Sequence, residues 1–134
     1  MRILVIDDDA GMTDLLTILL SPASSEIIVA NTAQEGVRLV RETDPTVIVL
    51  DLLFPESHGW EICKQIREIS NAPILVLSAL DKPGIVADAL DHGADDYLTK
   101  PVSSGTLIAR INKLARRQAQ AQPGVQLTVQ RLLP

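Results

Sequence analysis

The chain has a single cysteine, Cys63, and only one each of Phe, Tyr and Trp in 134 residues. One cysteine excludes an intramolecular disulfide and argues against a cysteine-built zinc site. Aromatics at 2% leave the apolar volume to Leu, Ile and Val. Basic residues are also few, 12 against 17 acidic, for a net charge of −5. Phosphate backbones are held by clustered Lys and Arg, so a domain this acidic is a poor nucleic-acid binder by itself. No apolar run approaches the length of a membrane span. The start, Met1-Arg2-Ile3-Leu4-Val5-Ile6, meets acid at once and lacks the long apolar stretch of a secretory signal. These absences lead us to expect a cytoplasmic protein with no membrane partner. At 46% hydrophobic, the length suits one compact domain.

Short apolar runs punctuate the chain. Ile3 to Ile6, Ile27 to Ala30, Val47 to Leu50, Ile74 to Leu77 and Tyr97 to Thr99 read as strands. Between them apolar residues recur at helical spacing: Met12, Leu15, Leu16 and Leu19; Val37 and Val40; Ile62, Ile66 and Ile69; Ile85 and Ala89; Leu107, Ile111 and Leu114. Thr32 with Glu35 has the spacing of a capping box, and Gly93 suits a left-handed helix end. Pro55 and Gly59 mark a loop. Strands that lack a polar face and alternate with helices form a parallel sheet covered on both sides. The fold expected is therefore three-layer α/β/α, a doubly wound five-stranded parallel sheet of order 2-1-3-4-5, as in flavodoxin. Its site lies at the carboxyl ends of the strands, where the winding switches direction. From Gln118 a Gln-Ala run ending in Pro123-Gly124 reads as a linker. The alternation of Val125, Leu127 and Val129 beyond it suits either a frayed tail or the start of a truncated second domain.

Asp7, Asp8, Asp51, Ser78 and Lys100 all fall just past strand ends, so the sheet gathers them on one edge. Three carboxylates so gathered repel one another unless a cation joins them. A hard divalent ion such as Mg²⁺ takes oxygen ligands and also binds phosphate. Lys100 offers a charge to phosphoryl oxygens and Ser78 a hydroxyl. In phosphoryl transfer, positioning and charge neutralisation carry most of the catalysis. Each residue alone is weak: an acid after a strand often only caps the next helix, as Asp9 can. The coincidence of residue types at four strand ends carries the argument.

Ile3-Leu4-Val5-Ile6-Asp7-Asp8-Asp9, Asp51-Leu52-Leu53-Phe54-Pro55 with Gly59, Ser78-Ala79, and Gly93-Ala94-Asp95-Asp96-Tyr97-Leu98-Thr99-Lys100-Pro101 together resemble the signature of response regulator receiver domains. The likeness covers residues 1–117 and is strongest to the branch whose receivers precede a winged-helix DNA-binding domain. The resemblance implies that Asp51 accepts a phosphoryl group from a sensor histidine kinase. It implies Mg²⁺ held by Asp8, Asp51 and the Leu53 backbone carbonyl, with Asp7 acting through a water molecule. Ser78 and Lys100 would bind the phosphoryl group, Tyr97 would be the aromatic switch, and the bond before Pro101 would be cis. Such a receiver is a switch rather than a turnover enzyme, and it reaches DNA only through an output domain.

The same branch pairs symmetrically through the fourth helix, fifth strand and fifth helix. Asp96 with Arg110, and Asp95 with Arg117, match two of its ion pairs, while Val86 and Thr106 replace a third. A weak homodimer on activation is expected. Two rivals compete with this reading. A phosphatase of the haloacid dehalogenase type would leave Asp51 to Gly59 unexplained and has no room for a cap. A degenerate receiver that only binds partners would not need Asp8, Asp51, Ser78 and Lys100 intact.

Overall fold

The apolar runs become strands in the computed structural model, which describes residues 1–24, 26–51 and 58–120. They are β1 (Arg2–Ile6), β2 (Glu26–Ala30), β3 (Val47–Asp51), β4 (Ile74–Ser78) and β5 (Asp96–Thr99). Helices α1 (Ala10–Leu20), α2 (Ala33–Thr43), α3 (His58–Ile69), α4 (Pro83–Asp91) and α5 (Ser104–Gln120) alternate with them. All pairings are parallel, in the order β2-β1-β3-β4-β5, as expected.

Strand residues alternate between two cores, which is why no polar face was visible. Leu4, Ile6, Ile48, Leu50, Ile74 and Val76 point to one side, where Val40, Ile62, Ile66 and Ala89 of α2, α3 and α4 cover them. Ile3, Val5, Val47, Val49, Leu75 and Leu77 point to the other, under Leu16 and Leu20 of α1 and Leu107, Ile111 and Leu114 of α5. Each fully buried Leu or Ile is worth about 1.5–3 kcal/mol relative to exposure. These two layers therefore fix the sheet, and with it the position of every strand end.

Local chemistry sets the helix ends. Asp9 caps α1, accepting from Gly11 N at 2.9 Å and Met12 N at 3.3 Å. Thr32 caps α2, its hydroxyl accepting from Glu35 N at 3.1 Å. That helix stops at Asp44, a non-glycine residue in the left-handed region at φ 49°. Pro83 opens α4, where its missing N–H costs nothing. Gly93 has the expected positive φ, 114°, and a Cβ there would lie 2.5 Å from Arg67 Cγ.

Two boundaries differ from expectation. The helix α5 continues through Gln118, Ala119 and Gln120, where composition alone suggested a linker. Gln and Ala are good helix formers, so low complexity did not mean loop. Gly59, placed in a loop by its residue type, falls in the first turn of α3. Val125, Leu127 and Val129 lie outside the described residues.

Candidate functional site

The register delivers the candidate residues to one edge. Ile6 is aligned with Leu50, Asp51 with Leu77, and Ser78 with Thr99. Asp7 therefore emerges beside the end of the central strand β3, and Lys100 beside the end of β4. Backbone bonds fix both: Asp7 N donates to Ala30 O at 3.0 Å, and Lys100 N donates to Ser78 O at 2.7 Å. The Lys100–Pro101 bond is cis, as anticipated.

Asp51 is buried to the last atom of its side chain, and Asp7 is 1% exposed. The Lys100 ammonium forms an ion pair with Asp51 Oδ2. Among the described residues nothing donates to the other oxygen, Asp51 Oδ1. Asp7 Oδ1 accepts from Asp9 N at 2.9 Å, whereas its Oδ2 is buried with no donor. Burial is the main reason the Asp7 carboxyl is pushed up to about 7; the Asp9 N–H opposes this, and the nearby Asp51 and Asp8 carboxylates add to it.

Asp8 is exposed at the mouth of the site. Asp7, Asp8 and Asp51 border one cavity of about 270 Å³, shared with Asn31 and Thr32. Among the described residues no three acidic, His or Cys side chains close into a metal cage. Leu53, the expected carbonyl ligand, lies outside the described residues.

On the other flank, Leu80 N donates to Ser78 Oγ at 3.1 Å, and Tyr97 Oη donates to Leu80 O at 2.5 Å. The hydroxyls of Ser78 and Tyr97 thus meet at the two ends of a single residue. Sequence reasoning named both residues, Ser78 for its hydroxyl and Tyr97 for its ring, but missed the main chain between them, which no residue type announces.

The charges expected on a dimer face are partly engaged within the chain. Arg110 Nη1 donates to both Asp96 oxygens, at 2.8 and 3.0 Å. Asp95 borders the same small cavity as Arg117, but its Oδ2 accepts from Arg67 Nη2 and from Ile74 N, both at 2.8 Å. Val86 is half-buried on α4, and Thr106 is exposed on α5.

A doubly wound sheet with acids at the ends of β1 and β3 and a lysine after β5 defines a signalling receiver. Comparison with known proteins agrees: the response regulator receiver domain family matches residues 3–112, and the chain belongs to it. It is a receiver domain of a two-component response regulator. It is 37% identical over 116 residues to the DNA-binding response regulator MtrA of Mycobacterium leprae, which covers 87% of this chain and 52% of that protein. The chain spans about half the length of the curated relatives it matches. A receiver domain of the Francisella response regulator 1452 superposes with a TM-score of 0.78 at 35% identity, covering 87% of this chain and 97% of that one. One from Clostridium thermocellum gives 0.82 at 27% identity, covering 90% and 98%.

Proposed function

We propose that this receiver takes a phosphoryl group on Asp51 and uses it to switch the face formed by α4, β5 and α5. The observation that carries the reading is the Asp51 carboxylate itself. It is fully buried at the end of the central strand, its Oδ2 is paired with the Lys100 ammonium, and among the described residues nothing donates to its Oδ1. A purely structural buried acid would be hydrogen-bonded. This one is kept as a nucleophile.

A sensor histidine kinase is the donor in this reading. As the P–N bond of its phosphohistidine breaks, an Asp51 oxygen forms the new bond to phosphorus in line, and the electron pair stays on the imidazole nitrogen. Lys100 moves its charge from the carboxylate to the phosphoryl oxygens, and the Ser78 hydroxyl follows. The buried Asp7 Oδ2 and Asp51 Oδ1, without donors among the described residues, and Asp8 at the mouth suit a hard cation with oxygen ligands. Mg²⁺ commonly keeps several waters, so an incomplete protein cage is the expected form. Asp8, Asp51 and the Leu53 carbonyl would hold it, with Asp7 behind a water. When bound, it neutralises charge on the transferring group.

The partner must land at the carboxyl edge. An apolar cavity of about 360 Å³ borders Lys100 there, lined by Met12, Leu15 and Leu19 of α1 and by Pro101 and Leu107. The exposed Leu15 and Ile18 extend that surface. Phosphorylation changes the protein once per event, so it is a cytoplasmic switch and not a turnover enzyme. Its output is a weak symmetric dimer that presents a DNA-binding domain outside this chain.

The test is incubation with acetyl phosphate and Mg²⁺, followed by intact-mass measurement. We expect a single phosphoryl adduct on the wild type, none in EDTA, and none on Asp51→Asn. Labelling of Asp51→Asn at the native rate would overturn the assignment.

A further inference from the structure

The acid at the end of β1 is held from the side by a residue that no phosphoryl chemistry calls for. Asn31 follows β2, and its Nδ2 donates to the Asp7 backbone carbonyl at 2.9 Å and to Thr13 Oγ1 at 3.1 Å. Both hydrogens of that amide are thereby used. Thr13 is 1% exposed, and its hydroxyl donates onward to Ala10 O at 3.0 Å. The peptide of Asp7 is therefore bracketed by the end of β2 on two sides. Its N–H goes to Ala30 O at 3.0 Å, and its C=O is taken by Asn31.

The carbonyl of Asp7 belongs to the peptide plane that leads into Asp8. Fixing its oxygen fixes that plane, and with it the direction in which the Asp8 carboxylate leaves the main chain. The tether to Thr13 also locks the first turn of α1 to the same point. Asp7 and Asp8 are consecutive residues that both border the cavity, so the course of the main chain between them decides how their carboxylates are presented there.

We infer that Asn31 is a positioning residue, holding the Asp7–Asp8 peptide so that both carboxylates face the cation that the site takes. This rests on reading Asp7 and Asp8 as metal-holding acids. Asn31 touches neither the phosphoryl group nor the metal; it acts through the main chain of the residues that do. Partners outside the ligand set commonly govern metal affinity by one to two orders of magnitude.

Two disruptive variants and one conservative control test the inference, with Mg²⁺ titrated by calorimetry and by the fluorescence of Trp60, the sole tryptophan. Asn31→Ala removes both tethers and should weaken Mg²⁺ binding about tenfold. Its phosphorylation rate should fall at low Mg²⁺ and recover towards the native value when Mg²⁺ is saturating. Thr13→Val keeps volume but removes the acceptor, and should weaken Mg²⁺ binding about two- to threefold, even if Asn31→Ala does not fold. Thr13→Ser, which keeps the hydroxyl, should restore the native affinity. Both variants folded and binding Mg²⁺ like the wild type, with only a lower Tm, would overturn the positioning role and leave Asn31 a structural residue. Absence of saturable Mg²⁺ binding by the wild type would instead overturn the metal reading beneath it.

Discussion

The two edges of the sheet treat charge in opposite ways. At the amino edge, Arg67 satisfies almost everything within reach: Nε donates to Gly93 O at 2.9 Å, Nη1 to Ser70 O at 2.9 Å, and Nη2 to Ala72 O at 2.6 Å and to Asp95 at 2.8 Å. Arg2 behaves likewise, reaching Glu26 and the Thr43 carbonyl. At the carboxyl edge, Asp7 Oδ2 and Asp51 Oδ1 are buried with no donor among the described residues. Saturated polar groups hold a fold, and unsaturated ones leave it with chemistry to do. The contrast separates stability from function by address.

That separation can be broken experimentally. The largest effect belongs to Arg67→Ala, which strips donors from three carbonyls and leaves the Asp95 carboxylate with less support. We expect a loss of about 3 kcal/mol in urea unfolding, with the rate of phosphorylation by acetyl phosphate within about twofold of native. A large rate defect in folded Arg67→Ala would join the two edges.

Next comes the carboxyl edge in EDTA. The Asp7 carboxyl is raised in the folded state to about 7, from an ordinary aspartate value of 3.8. Between those values the native state binds the extra proton, so stability from this group is greatest at low pH and falls as pH rises through 4 to 7. We expect that decline to be read as the difference between wild type and Asp7→Asn, and to be abolished by Mg²⁺. A wild-type curve parallel to that of Asp7→Asn would contradict it.

A smaller effect concerns the activated dimer. Arg110→Glu places an acid against Asp96 and should weaken association, but exposed ion pairs are worth only ~0–1 kcal/mol each. Sedimentation with beryllofluoride and Mg²⁺ should show weaker pairing for the variant. An unchanged dimer would remove Arg110 from that face. Smallest is Asp44→Gly, which relieves the left-handed backbone at φ 49° and should add about 0.5 kcal/mol, read as a higher Tm.

The sheet was legible because its three central strands, β1, β3 and β4, are apolar runs buried on both faces, and the candidate site because its residues sit at or just past strand ends. Cys63 lies in one core, and Trp60 packs against it. What stayed hidden depends on distance in space. Arg67 meets Asp95 across 28 positions, and no local pattern announces such a bond. Asn31 reads as an ordinary turn residue after a strand, and Thr13 as one polar position in an apolar helix. The end of α5 was misjudged because composition was weighed above helix propensity.

Leu80 is bonded at both ends of its main chain, to Ser78 Oγ through its N–H and to Tyr97 Oη through its C=O. Mechanically this is a linkage one residue long and without slack. If Ser78 turns its hydroxyl away, the Leu80 amide must follow it or release it. If it follows, the carbonyl that accepts the Tyr97 hydroxyl is carried with the residue. Such a coupling works over a few ångströms and needs no bending of the sheet, so the signal can travel while the two cores stay packed.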